Sequence, residues 1–175
     1  MTRDERYARQ MLLPEIDGRG QEKLDHATVA IVGLGGLGSP VAFYLAAAGV
    51  GRLILIDQDT VEITNLNRQI IHWEEDVAKH RPKVESAAEK VHEFNGRTEI
   101  IQHNSSLDEH NVALLLDEAD VIADCVDNFH ARRAMNQFCV RNGKPLVHAA
   151  VEEWSGHVTT IVPGSTPCLN CLFER

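Results

Sequence analysis

Four glycines, Gly33, Gly35, Gly36 and Gly38, punctuate the segment VAIVGLGGLGSPVAFYLAAAGVGRLILID. Gly33, Gly35 and Gly38 have the G-x-G-x-x-G spacing, between the apolar run Val29–Val32 and an apolar-periodic helix of about Pro40 to Ala48. Such a strand-to-helix turn aims backbone N–H groups and a helix N-terminus at phosphate. A second apolar run, Leu53–Ile56, ends in Asp57, 19 residues beyond Gly38. A carboxylate there accepts from a ribose hydroxyl. The ribose of a dinucleotide and that of ATP offer the same group, so Asp57 does not separate the two ligands.

The residues that follow do separate them. Asn65, Asn67, Arg68 and Gln69 are packed into TNLNRQ. A nicotinamide ring has little use for such a cluster, whereas a triphosphate does, because arginine offers a planar fork of donors to phosphate oxygens. Taken alone the cluster also reads as a surface loop. Lys83 follows Pro82 at the start of a helix and can serve as a point charge on phosphate, or simply be solvated. Asp127 and Asn128 close the strand-like IADCVDN. A carboxylate at a strand edge facing phosphates suits Mg²⁺, and the same pair suits a helix N-cap.

Cys168 and Cys171 form a C-x-x-C in PCLNC. Paired thiolates at this spacing suit zinc, but a structural zinc takes four ligands and no second C-x-x-C is present. A redox dithiol is the other reading, although the pair is not expected to open a helix after a strand. Cys125 adjoins the proposed nucleotide site and Cys139 falls on an expected helix, so neither is assigned as a zinc partner or a nucleophile.

These residues need a scaffold. Helices are expected over Asp4–Leu13, Arg19–Leu24, Lys83–Phe94, Glu109–Leu116 and Ala131–Val140, and further strands over Glu99–His103, Val121–Asp124 and Pro145–Val151. His157–Val162 alternates and fits an added, antiparallel strand. Glu74, Glu75 and Asp76 read as an acidic loop, and Pro163–Arg175 shows no element. Strands alternating with helices predict an α/β fold: a Rossmann-like, mostly parallel sheet with helices on both faces. Ligands of such sheets bind at the carboxyl ends of the strands, where the glycine turn, Asp57 and Asp127 fall.

The 175 residues suit one domain with a full core, and 43% apolar with 25% charged residues is ordinary for a globular chain. No run approaches the ~20 apolar residues of a membrane span. MTRDERYARQ lacks the apolar centre of a secretory signal, so a cytoplasmic location is the expectation. The net charge of −9, from 26 acidic and 17 basic residues, opposes long-range attraction to nucleic acid.

RYARQ, GLGGLG, AAAGVGRLILIDQD, TNLNRQ, RPKVESA, ADCVDN and CLNC, in that order, resemble the ThiF/MoeB/HesA family, relatives of the ubiquitin-activating enzymes. The resemblance spans essentially the whole chain. It implies a single adenylation domain over 1–175 that uses Mg²⁺ and ATP to adenylate the C-terminal Gly-Gly carboxylate of a small ubiquitin-like sulfur carrier protein, releasing pyrophosphate, in thiamine or molybdopterin biosynthesis. It implies that Gly36 and its neighbours line the ATP turn and that Asp57, with Asp59 beside it, meets the ribose. Asn65, Arg68, Gln69 and Lys83 would contact the phosphates, and Asp127 would hold Mg²⁺ with Asn128 beside it. Arg9 resembles the arginine that family homodimers insert into the partner's ATP site.

The sequence departs from the family's pattern in two ways. HWEEDVAKHRPK is longer than the family's spacing and offers Lys79 as a rival to Lys83. The chain also stops just after its C-x-x-C, so the expectation is a domain truncated there, with a zinc site left incomplete. Two related readings are a dehydratase that modifies threonylcarbamoyladenosine in tRNA, and a shortened, inactive module that binds nucleotide or carrier. A nicotinamide-dependent oxidoreductase fits least.

Overall fold

A computed structural model describes residues 3–173. In chain order the elements are α1 (Arg3–Tyr7), a 3-10 turn (Gln10–Leu12), α2 (Asp17–His26), β1 (Thr28–Val32), α3 (Gly38–Ala48), β2 (Arg52–Ile56), a second 3-10 turn (Ile63–Asn65), α4 (Glu74–Ala78), α5 (Lys83–Phe94), β3 (Glu99–His103), α6 (Val112–Leu116), β4 (Val121–Asp124), α7 (Phe129–Asn142), β5 (Leu146–Glu152), β6 (Ser155–Ile161) and α8 (Leu169–Phe173). The strands form one six-stranded sheet in the order β3-β2-β1-β4-β5-β6. The first five pair in parallel and β6 pairs antiparallel with β5. Strand order reverses beside β1, so the crevice between the carboxyl ends of β1 and β4 is the topological switch point.

The apolar runs of β1 and β2 lack alternation because both of their faces are covered. Successive side chains enter opposite cores. Ala30, Val32, Ile54 and Ile56 pack with Leu116 of α6 and Met135 and Phe138 of α7. Val29, Ile31, Leu53 and Leu55 pack with Ala42 and Ala46 of α3 and Val84, Ala87 and Val91 of α5. No helix of the described residues is long and apolar enough to cross a membrane.

Four local expectations are corrected. The helix expected over Asp4–Leu13 breaks after Tyr7, because Tyr7 is 2% exposed and packs against Gly49, while Gln10 Nε2 donates to the Ala48 carbonyl at 2.7 Å. The acidic loop at Glu74–Asp76 is the first turn of α4. The Trp73 amide donates to Asp76 Oδ2 at 2.8 Å, and acids at a helix N-terminus oppose its dipole favourably. The helix expected from Glu109 starts at Val112, because the amides of His110 and Asn111 donate to the Asp108 carboxylate. The tail expected to be irregular contains α8: Leu169 is buried and its amide donates to Asn136 Oδ1 at 3.0 Å. Cys168 therefore does precede a helix that follows a strand, although this one has only five residues.

Candidate functional site

The four glycines divide into two pairs. Gly33 has φ of +90°, and a Cβ there would lie 2.7 Å from the Cys125 carbonyl. A Cβ on Gly38 would lie 1.9 Å from the Gly33 carbonyl. Both are demanded by the chain's own packing, one by a left-handed backbone and the other by close approach of α3 to the turn. Gly35 and Gly36 are not: a Cβ on either would meet nothing closer than 3.6 Å, the neighbours being Gln69 Nε2 and Arg68 Cγ respectively. Glycines the fold does not require leave an open cradle beneath Arg68 and Gln69.

Asp57 fastens this turn to the end of β2. Its Oδ2 accepts the Leu34 amide at 2.7 Å and its Oδ1 accepts the Asp59 amide at 2.8 Å. Burial pushes its carboxyl above the ordinary range, against the pull of those two amides and the Lys83 charge. Asp59 is exposed and receives Lys83 Nζ at 2.8 Å from a lysine only 6% exposed. The Lys83 amide also donates to the Asp59 carbonyl, and Thr60 bridges Pro82. Lys79, in contrast, is exposed and pairs with Glu75 at 3.7 Å, so Lys83 is the lysine at this edge. Between Gln69 and Lys83 the chain forms α4 and a left-handed turn at His80, φ 49°.

Asn65 organises the polar cluster. Its Oδ1 accepts the Glu62 amide, and its carbonyl accepts the amides of Arg68 and Gln69. The Arg68 guanidinium is exposed and folds back on Thr64 O and Asn67 Oδ1, at 3.0 and 3.1 Å. Gln69 is 4% exposed, and its Oε1 is buried with no hydrogen-bond partner. A buried, unpaired acceptor costs roughly 1–3 kcal/mol, and this oxygen calls for a donor, not for a phosphate oxygen.

Behind the turn lies a buried polar network that sequence reasoning missed. His72 Nε2 donates to the Leu34 carbonyl at 3.0 Å, and its Nδ1 lies 2.8 Å from Ser86 Oγ. Burial holds the ring neutral, with its pKa lowered to about 4. Asp76, 0% exposed, receives Lys90 Nζ at 2.5 Å and Arg81 Nη1 at 3.2 Å. Ser86 and Lys90 are one turn apart on α5, but nothing in the spacing ties them to His72 and Asp76 on the segments before it.

Asp127 and Asn128 follow β4 across the crevice. The Asn128 Oδ1 accepts the Ala131 amide at 2.9 Å and caps α7, so Asn128 takes the capping role. Asp127 is exposed, and no hydrogen bond or ion pair holds its carboxylate among the described residues. One free carboxylate at this crevice has the chemistry of a Mg²⁺ ligand, since Mg²⁺ binds through one or two carboxylates plus phosphate oxygens and water. Cys125 and Cys139 are pushed up to about 12 by burial, which leaves them inert as nucleophiles.

Two sequence-predicted residue sets lie elsewhere. Arg9 is exposed, between Tyr7 and Gln10, which are both anchored at the C-terminal end of α3. The eleven residues of α3 put the glycine turn ~16 Å away at its other end, outside Arg9's reach within one chain. Cys168 and Cys171 have sulfurs 3.6 Å apart, and the backbone amide of Cys171, ahead of its thiol and other nearby donors, lowers the Cys168 pKa. Among the described residues no group of three or more His, Cys, Asp or Glu could hold a metal. Two thiolates do not make up a four-ligand zinc site.

A Rossmann-like sheet with a glycine turn, an acidic strand end and a cationic cluster at one crevice defines the class. The chain belongs to the ThiF family, whose model matches residues 7–175. It is 44% identical over 177 aligned positions to the mouse (Mus musculus) adenylyltransferase and sulfurtransferase MOCS3, covering 100% of this chain and 38% of that protein. It is 41% identical to the SAMP-activating enzyme E1 of Haloferax volcanii, covering 99% of this chain and 63% of that enzyme. Escherichia coli (E. coli) MccB, crystallised with ATP, superposes with a TM-score of 0.84 at 32% identity, covering 95% of this chain and 51% of MccB. The chain thus spans only part of the length of these proteins.

Proposed function

We propose that the crevice between β1 and β4 binds Mg·ATP, and that the chain is an adenylation domain acting on the C-terminal carboxylate of a small ubiquitin-like carrier protein. The observation that carries this reading is the cradle at Gly35 and Gly36, open where the fold does not require it, with the donor Nε2 of Gln69 and the side chain of Arg68 beside it. Relatives named as adenylyltransferase and as activating enzyme support it.

In this reading the carrier's carboxylate oxygen attacks the α-phosphorus. The bond from that phosphorus to its bridging oxygen breaks, and the electron pair leaves with pyrophosphate. No general base is needed, since a carboxylate is already ionised near pH 7. Transfer of this kind depends on positioning and on positive charge at the phosphate oxygens. Arg68 and Lys83 supply charge, Gly33–Gly38 supply backbone amides, and Asp57 and Asp59 orient the ribose. Asp127 would hold Mg²⁺, which supplies further charge neutralisation on the phosphates. Arg9, too distant from its own crevice, is assigned to that of a second copy in a homodimer. Cytoplasmic location and a Gly-Gly carrier terminus belong to the same proposal.

Carrier-dependent ATP–pyrophosphate exchange tests the reading. Small ubiquitin-like proteins ending in Gly-Gly should support exchange, and Asp127→Ala should abolish it. Full exchange by Asp127→Ala would remove the Mg²⁺ assignment.

A further inference from the structure

Between β4 and α7 a buried ion pair closes on a single backbone unit. The Val126 amide donates to Asp124 Oδ1 at 3.3 Å, and the Val126 carbonyl accepts from Arg132 Nη2 at 2.6 Å. Arg132 Nε closes the loop by donating to Asp124 Oδ2 at 3.0 Å. Asp124 is 0% exposed, and its Oδ2 also faces His148 Nδ1 at 2.6 Å from the adjacent strand β5. His148 is itself 0% exposed and reaches His157 on β6, Nε2 to Nε2, at 2.9 Å. The Phe129 ring lies 5.6 Å from the Arg132 guanidinium on its other side. Both polar groups of Val126 are thus taken by side chains that are themselves held.

Packing alone does not explain this arrangement. A buried ion pair is weak evidence for stability, because apolar residues of similar volume often do as well; its best use is to fix one geometry. The geometry fixed here is that of the residue after Val126, which is Asp127. The loop is set at three points: the Cys125 carbonyl against Gly33, the clamp on Val126, and the Asn128 cap. Between them Asp127 alone has its side chain unengaged.

We infer that Arg132, working through Asp124, is a positioning residue that presents Asp127 to a divalent cation on the nucleotide. This rests on the proposal that Asp127 holds Mg²⁺. Mg²⁺ demands near-octahedral geometry, so a displaced carboxylate raises the metal requirement before it affects nucleotide contacts. An ammonium cannot reproduce the clamp, because Arg132 uses two nitrogens on two different acceptors.

The test uses the full chain with ATP and Mn²⁺, titrated by electron paramagnetic resonance, and with metal-free ATP as the reference. Arg132→Met should raise the Mn²⁺ midpoint on the order of tenfold, the size seen when groups behind a metal ligand are removed. Its affinity for metal-free ATP should not change, which also confirms that it folds. Arg132→Lys, which keeps the charge beside Asp124, should fall between the two. Asp127→Asn separates the two claims. If that variant keeps the wild-type midpoint, the metal assignment fails and the inference with it. If it loses the midpoint while a folded Arg132→Met or Arg132→Lys keeps it, the inference alone is overturned.

Discussion

Asp57 Oδ2 accepts the Leu34 amide at 2.7 Å, so the carboxylate that ends β2 also fixes the first turn of the glycine loop. Sequence placed Asp57 at a ribose, but not in this second role. In the proposed ATP reading, this pairing makes nucleotide binding depend on the ionised carboxylate. Burial has raised the Asp57 pKa, so lowering the pH through that raised value protonates the group. ATP affinity, measured by calorimetry across the acid range, should fall as pH falls, and Asp57→Asn should be weak at every pH. A pH-independent affinity in the wild type would contradict this.

The two pairs of glycines should separate stability from binding. Gly38→Ala puts a Cβ 1.9 Å from a backbone oxygen, and the loss of stability should be on the order of 3 kcal/mol. Gly36→Ala meets nothing closer than 3.6 Å and should be neutral to within about 0.5 kcal/mol. It should nonetheless weaken ATP binding by roughly tenfold, about 1.4 kcal/mol. Denaturant titration and calorimetry check both. Unchanged ATP affinity in Gly36→Ala would empty the cradle of meaning.

His72 makes the fold sensitive to acid. Its pKa is lowered from 6.5 to about 4 in the fold, so below pH 6.5 the unfolded chain takes a proton that the folded chain refuses. Stability therefore rises with pH between 4 and 6.5 and is lost as pH falls through that window, by up to about 3 kcal/mol. His72→Gln should flatten the window in urea titrations. A variant whose stability runs parallel to the wild type from pH 6.5 to 4 would show that His72 is not the source.

Arg9 sits at the far end of α3 from its own glycine turn, which ties its assigned role to assembly. Arg9→Ala and Asp127→Ala, each inactive in pyrophosphate exchange, should regain up to about a quarter of the activity when mixed as subunits, since one site in each mixed dimer is intact and random mixing makes half the dimers mixed. Mixed dimers without recovery would exclude a shared site.

The sheet was legible because its signals are local and strong. β1 and β2 are continuous apolar runs buried on both faces, and the helix from Lys83 to Phe94 begins after Pro82. The short elements were not legible. α4 depends on Asp76 being held by Lys90, 14 residues on, and α8 depends on Leu169 finding Asn136, 33 residues back, contacts between separate elements. The site divided the same way. Residues in ordered motifs, such as Arg68, Gln69 and Lys83, could be named from the chain. Arg132, Asp124, His148 and His72 could not, because their importance lies in what they hold rather than in what they are spaced from.

In the proposed reaction a carboxylate opens ATP at its α-phosphorus. The most direct measurement incubates the chain and a carrier ending in Gly-Gly with ATP labelled in either the α- or the γ-phosphate, followed by mass spectrometry of the carrier and analysis of the released phosphates. α-Label should appear on the carrier as an adenylate, and γ-label in pyrophosphate. γ-Label on the carrier with release of ADP, or no modification of any carrier by a chain that binds ATP, would contradict that reaction.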